Sequence, residues 1–141
     1  MAERDEQANA DTIILVDTMG ELSAIWGLAD IAYVGGSLDG KRGGQNMIEP
    51  SAYGAAVVFG PHTWNFKQTV NDLLGREAAI QVEDAAALEA VVLRLLEEAD
   101  ERARLGMAAR AFVRSQQGAT ERTLDELARV MGVVEEARFA A

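Results

Sequence analysis

The sequence predicts an α/β fold: a parallel sheet of about four strands flanked by helices and followed by further C-terminal helices. Three observations carry this expectation. Four short runs, Thr12 to Val16, Ile31 to Val34, Ala56 to Phe59 and Ala79 to Val82, are apolar almost throughout instead of alternating, the pattern of parallel strands covered on both faces. Segments with helical spacing separate them, so strand and helix alternate three times, as in a doubly wound layer. Beyond Asp84 only helical spacing continues.

Taken in order, "TIILV" is followed by "DTMGEL", where Thr18 and Glu21 stand at capping-box spacing ahead of a segment with Leu22, Ile25 and Trp26 at helical spacing. After "IAYV" comes "GGSLDGKRGGQNMIEP", residues 35–50, with five glycines in sixteen positions. It leads into a helix with Ile48, Ala52 and Tyr53 at one spacing. Asn46 and Glu49 also stand at capping-box spacing, but with Asn46 as N-cap Pro50 would be the first residue required to donate a backbone bond, and it has no N–H. A start nearer Glu49, with Pro50 at the first helical position, is therefore expected. The strand "AVVF" gives way to "GPHTWNF" and a helix with Phe66, Val70, Leu73 and Leu74 inward.

After "AIQV", Asp84 is the expected N-cap of a helix with Leu88, Val91, Val92, Leu95 and Leu96 on its buried stripe. A second helix runs from about Asp100 to Gln117 with Leu105, Ala109, Phe112 and Val113 inward, and Gly118 suits its left-handed C′ position. A third starts near Thr120 and buries Leu124, Leu127 and Met131. The expected organisation is a flexible polar leader over 1–11, one domain over 12–132 and a loose tail over 133–141.

Composition narrows the function. A chain of 141 residues buries about two thirds of its unfolded surface, enough for a real core. A net charge of −10, with Lys41 and Lys67 as the only lysines, leaves no basic run for a nucleic-acid backbone. With no cysteine and a single histidine, His62, neither a thiolate centre nor a His-rich metal site can be built, and no cofactor is expected. No run reaches the roughly 18 apolar residues of a membrane span, and the polar start lacks a signal peptide's pattern, so the chain reads as soluble and cytoplasmic.

In a parallel sheet the loops at the carboxyl ends of the strands line one crevice. Three loops qualify: 17–21, 35–49 and 60–66. Each joins glycine to polar side chains, an arrangement suited to an anionic ligand. Thr18 and Glu21 can cap a helix while Gly20 lets backbone approach a phosphate. Asn46 and Glu49 can cap a helix, or present an amide and a carboxylate to neighbouring hydroxyls such as those of a ribose. Lys41 and Arg42 add local positive charge, with Gly43 and Gly44 beside them. His62 stands in a loop without a nucleophile elbow, and there is neither a P-loop nor a GxGxxG turn. A lone loop histidine is more often structural than catalytic.

The series "DTMGEL", "VGGSL", "RGGQNMIEP", "GPHTWNF" and "QQGATERTLDEL", in this order and at these intervals, resembles the C-terminal part of 3-deoxy-D-manno-octulosonic acid (Kdo) transferases over about residues 12–130. The resemblance implies a Rossmann-like fold, part of the C-terminal donor domain of a GT-B glycosyltransferase. It implies CMP-Kdo as donor and a lipid A precursor as acceptor, in lipopolysaccharide biosynthesis at the cytoplasmic face of the bacterial inner membrane. Transfer there is inverting, with a carboxylate base on the acceptor hydroxyl and CMP departing. Carried over by motif, Met19, Gly20 and Glu21 form one part of the CMP site, and Asn46, Met47, Ile48 and Glu49 another; Arg42, Gly43, Gly44 and His62 are auxiliary candidates. Many members carry His and Pro where Gln45 and Met47 stand here. The family's N-terminal domain, with the base and acceptor surface, has no counterpart in this sequence, so this chain is expected to be inactive alone, with no catalytic residue of its own. A sheet edge left bare can pair with a second copy. A UDP- or GDP-sugar GT-B enzyme and a non-enzymatic α/β module are the alternatives.

Overall fold

The computed structural model describes residues 12–131; the expected leader and tail lie outside them. The sheet has three parallel strands, β1 (Ile31–Val34), β2 (Ala56–Phe59) and β3 (Ala79–Gln81), in the order β1-β2-β3. Ile31 stands opposite Ala56 and Val57 opposite Ala79. α1 (Leu22–Ile25), continued by a 3-10 turn over Trp26–Leu28, leads into β1, and α2 (Ile48–Tyr53) and α3 (Lys67–Gly75) link the strands. Three more follow: α4 (Ala85–Glu97), α5 (Ala99–Gln116) and α6 (Ala119–Val130).

Every residue of β2 is buried, as its unbroken apolar run requires. Val57 and Phe59 face one cluster with Met47, Leu73 and Phe112, beneath α2, α3 and α5. Ala56 and Val58 face the other, with Leu95 and partly buried Leu88 and Val91 of α4. Alternate residues of one strand thus serve two helical layers, the doubly wound arrangement. Asp84 caps α4 as expected, its carboxylate accepting from the Ala87 N–H at 2.8 Å. Gly118, at φ +80°, follows Gln117, the C-cap of α5.

Four expectations are corrected. Residues 12–16 form no strand: Ile13 is 95% and Leu15 85% exposed. Strand composition alone does not make a strand, which needs a neighbour to pair with; residues 12–16 pair with none among the described residues, and the sheet has three strands instead of four. On α4, Leu96 is exposed rather than buried: the helix rests on the sheet along Leu88, Val91 and Leu95, and Leu96 stands about 100° round the helix from Leu95. On α6, Leu124, Leu127 and Met131 are exposed; among the described residues no element packs broadly on that helix. Finally, α2 starts at Ile48 with Met47 as N-cap, so Pro50 is its third residue instead of its first. The first intrahelical bond is then made by Ser51 to the Met47 carbonyl at 3.3 Å, and the missing proline N–H falls among donors that have no helical acceptor anyway.

Candidate functional site

The loop from Gly35 to Asn46 leaves the carboxyl end of β1 and folds back on itself. The Gly44 N–H donates to the Gly36 carbonyl at 2.9 Å and the Gln45 N–H to the Gly35 carbonyl at 3.2 Å. Its base is locked by Ser37, fully buried, whose hydroxyl donates to the Val34 carbonyl at 2.6 Å and accepts from the Gly60 N–H at 2.8 Å. One side chain therefore ties the loop after β1 to the loop after β2. Its far side is held by Asn65, whose amide donates to the Arg42 carbonyl at 2.8 Å. Gly43, at φ +78°, lies so close to Trp64 that an added Cβ would stand 2.5 Å from the indole. Only glycine satisfies both conditions.

Ser37→Ala is expected to cost about 1–3 kcal/mol, since it leaves the Gly60 N–H buried without an acceptor. Chemical denaturation measures this; a loss of a few tenths only would show that the two loops are not joined through this hydroxyl.

Beyond the pinch, Asn46 and Glu49 meet. The Asn46 Nδ2 donates to Glu49 Oε1 at 3.0 Å, while Asn46 Oδ1 accepts from the Ile48 N–H at 2.9 Å. The amide thus turns the chain into α2 and orients the carboxylate at the same time. Both line a cavity of about 220 Å³ with Leu22, Trp26, Tyr33, Val34, Gly35 and Gln45. Leu22 and Trp26 come from the first helical stretch and Asn46 and Glu49 from the approach to α2. The first helical stretch, the end of β1 and the approach to α2 consequently share one hollow at the carboxyl end of β1.

The remaining candidates are spread around it. Glu21, next to Leu22, is exposed and does not line the cavity; its carboxylate accepts from the Thr18 hydroxyl, and Glu21 itself is the N-cap of α1. That side-chain bond replaces the expected reciprocal capping box. Met19 is 98% exposed and Gly20 has φ +92°. Met47 is wholly buried in the core, so only its backbone can face a ligand there. Ile48 lines a separate hollow with Thr69, Phe112 and Val113. His62 is half-buried, edge-on to Trp64 at 6.1 Å between ring centres, and its Nε2 would stand 3.3 Å from a Cβ on Gly40. It packs one loop against the other. Sequence reasoning passed over Ser37, Tyr33 and Asn65; a serine directly behind two glycines at a strand end was the signal for the first.

A larger hollow, about 570 Å³, lies between the 3-10 turn, the end of α2 and the start of α5, lined by Asp30, Tyr53, Gly54 and Arg102 among others. It faces the amino ends of β1 and β2, away from the glycine-rich loops. In open α/β sheets ligands bind outside the carboxyl ends, so the smaller cavity is the better candidate. A carboxylate held by an amide, at the mouth of an apolar cleft, can accept from two adjacent hydroxyls while the aromatic and aliphatic walls take a flat ring.

No protein-family model matches the chain. It is 44% identical over 115 residues to the 3-deoxy-D-manno-octulosonic acid transferase of Bordetella pertussis, covering 82% of this chain. It is 42% identical over 125 residues to that of Haemophilus influenzae, covering 87%. The chain is a relative of the Kdo transferases. It spans 27% and 29% of those two proteins. Its fold matches the crystal structure of the C-terminal CMP-Kdo binding domain of WaaA from Acinetobacter baumannii, with a TM-score of 0.64 and 32% identity over 67% of this chain and 49% of that one. The α/β fold and the likeness to the C-terminal part of this glycosyltransferase family both follow, with three strands described here instead of the expected four. No helix among the described residues is long and apolar enough to cross a membrane.

Proposed function

We propose that this chain is the donor-binding part of a Kdo transferase, holding CMP-Kdo at the cavity between α1 and α2. The observation that carries the reading is the Asn46–Glu49 pair, set in that cavity in a chain so similar to Kdo transferases. In this reading Glu49 accepts from the ribose hydroxyls and Asn46 holds it in place. The backbone of Met19, Gly20 and Glu21 approaches the nucleotide from the other side. Sugar transfer to a lipid A precursor at the cytoplasmic membrane face belongs to the assembled enzyme. The 141 residues alone are expected to bind donor without transferring it, and any Kdo transfer by them in a direct assay would refute that part.

Titration of amide resonances with CMP, UDP and GDP tests the reading. CMP should shift residues 19–21 and 46–49 in preference to the other two. Glu49→Gln keeps the side-chain shape and the capability of bonding Asn46 but loses the negative acceptor. It should weaken CMP about tenfold, the size of a charge-assisted bond to a hydroxyl. Equal response to all three nucleotides, or shifts confined to the hollow near Asp30 and Arg102, would overturn the assignment.

A further inference from the structure

The cavity has a charge problem. Its lining includes the Glu49 carboxylate and no lysine or arginine, and the chain carries a net charge of −10. A nucleotide-linked sugar acid brings a phosphate and a carboxylate, two further negative groups, to this hollow. Binding such a donor calls for positive charge at the rim, from this chain or from another part of the assembled enzyme.

Arg42 meets that requirement by geometry. Its stem lies along Gly36, with its Cβ and Cδ 3.2 and 3.5 Å from where a Gly36 Cβ would be. Gly36 follows Gly35, which lines the cavity, and pairs with Gly44, which precedes the lining residue Gln45. The aliphatic stem therefore runs along the pinch, one residue from the lining of the cavity, with the exposed guanidinium beyond it. Its backbone is fixed by Asn65, so the stem starts from a held position. Among the described residues the guanidinium has no ion pair, although the chain is rich in carboxylates. For Lys41, its neighbour, the N–H closes a local turn on Asp39, and it is Arg42, not Lys41, whose stem stands against Gly36.

We infer that Arg42 reads the carboxylate of the sugar acid on the donor and so separates a sugar-acid nucleotide from the bare nucleotide. The inference rests on the donor-binding reading above and deepens it by assigning the sugar end. A planar guanidinium can grip a carboxylate through two parallel N–H···O bonds, while an ammonium acts as a point charge. The nucleotide's own phosphate has the same anionic chemistry, so the test must tell the two apart.

Calorimetric titration of the chain with CMP and with CMP-Kdo does so when the affinity ratio is measured for wild type, Arg42→Gln and Arg42→Lys. Wild type should favour CMP-Kdo over CMP. Arg42→Gln should lower that ratio about tenfold, with Arg42→Lys between the two. A ratio unchanged in Arg42→Gln overturns the inference: if both affinities fall together, Arg42 serves the phosphate, and if neither falls, it serves nothing in the site. Wild type that binds no CMP sinks the donor reading itself, a distinct result, and this inference with it. Arg42 is exposed, so the substitutions test recognition without threatening the fold.

Discussion

Gly106→Ala is expected to destabilise the fold by about 3 kcal/mol and to lower its melting temperature by about 10 °C, against the helix propensity that favours alanine by roughly 1 kcal/mol. Gly106 lies buried in the middle of α5, where that helix crosses the end of α2. A Cβ at this position would overlap the Gly54 carbonyl oxygen and stand 2.9 Å from the Gly54 carbonyl carbon. Both obstacles are backbone, so neither can swing aside. Either α5 lifts from the sheet, exposing Leu105 and Ala109, or α2 is pushed along its axis. The second route reaches the cavity, because Asn46 and Glu49 sit at the other end of that same short helix. Gly75, at the end of α3 with open space where a Cβ would be, is the control: Gly75→Ala should be neutral or slightly stabilising. A thermal melt in which Gly106→Ala gains stability would show that α2 and α5 are not in close backbone contact.

The parts of this fold that were legible in the sequence are those set by short-range chemistry. An unbroken apolar run such as "AVVF" has to be covered on both sides, and β2 is. Asp84 ahead of a periodic apolar stripe has to cap a helix, and it does. The start of α2 was legible to within two residues, because a proline without an N–H constrains where helical bonding begins. Residues 12–16 and α6 were misread for a shared reason: their patterns are those of buried elements, but burial needs a partner, and the partner is not written in the local pattern. "TIILV" has strand composition without an adjoining strand among the described residues, and Leu124, Leu127 and Met131 form an apolar face with nothing broadly against it. At the site, the Asn46–Glu49 spacing was readable as either cap or ligand pair. In the structure it bonds to itself and to the backbone together, so the two readings are not exclusive. The burial of Met47 was not readable, since its place in the core depends on Leu73 and Phe112, distant in sequence.

Phe59→Ala should be the most damaging single truncation in the core, costing about 3–5 kcal/mol where the total stability of a fold this size is on the order of 5–15 kcal/mol. Phe59 ends the central strand, is fully buried, and belongs to the cluster formed by Met47, Leu73 and Phe112 under three helices. Truncation removes the ring's transfer free energy and leaves a cavity that three separately anchored helices cannot close. Position adds to the cost. The Phe59 carbonyl accepts from the Val82 N–H at 2.9 Å, and the next residue, Gly60, donates to Ser37. A collapse around residue 59 therefore also disturbs the lock that holds the glycine-rich loop. Urea unfolding should show a large fall in midpoint with an unchanged slope, because the surface exposed on unfolding hardly alters. In variant molecules that remain folded, CMP affinity should fall as well, since Met47, which stands between Asn46 and Glu49 in sequence and in the same core cluster as Phe59, loses part of its support. Phe59→Leu, which refills most of the volume, should recover most of both losses. If Phe59→Ala costs less than about 1 kcal/mol, the core does not converge at the end of β2, and the link drawn here between packing and the cavity fails with it.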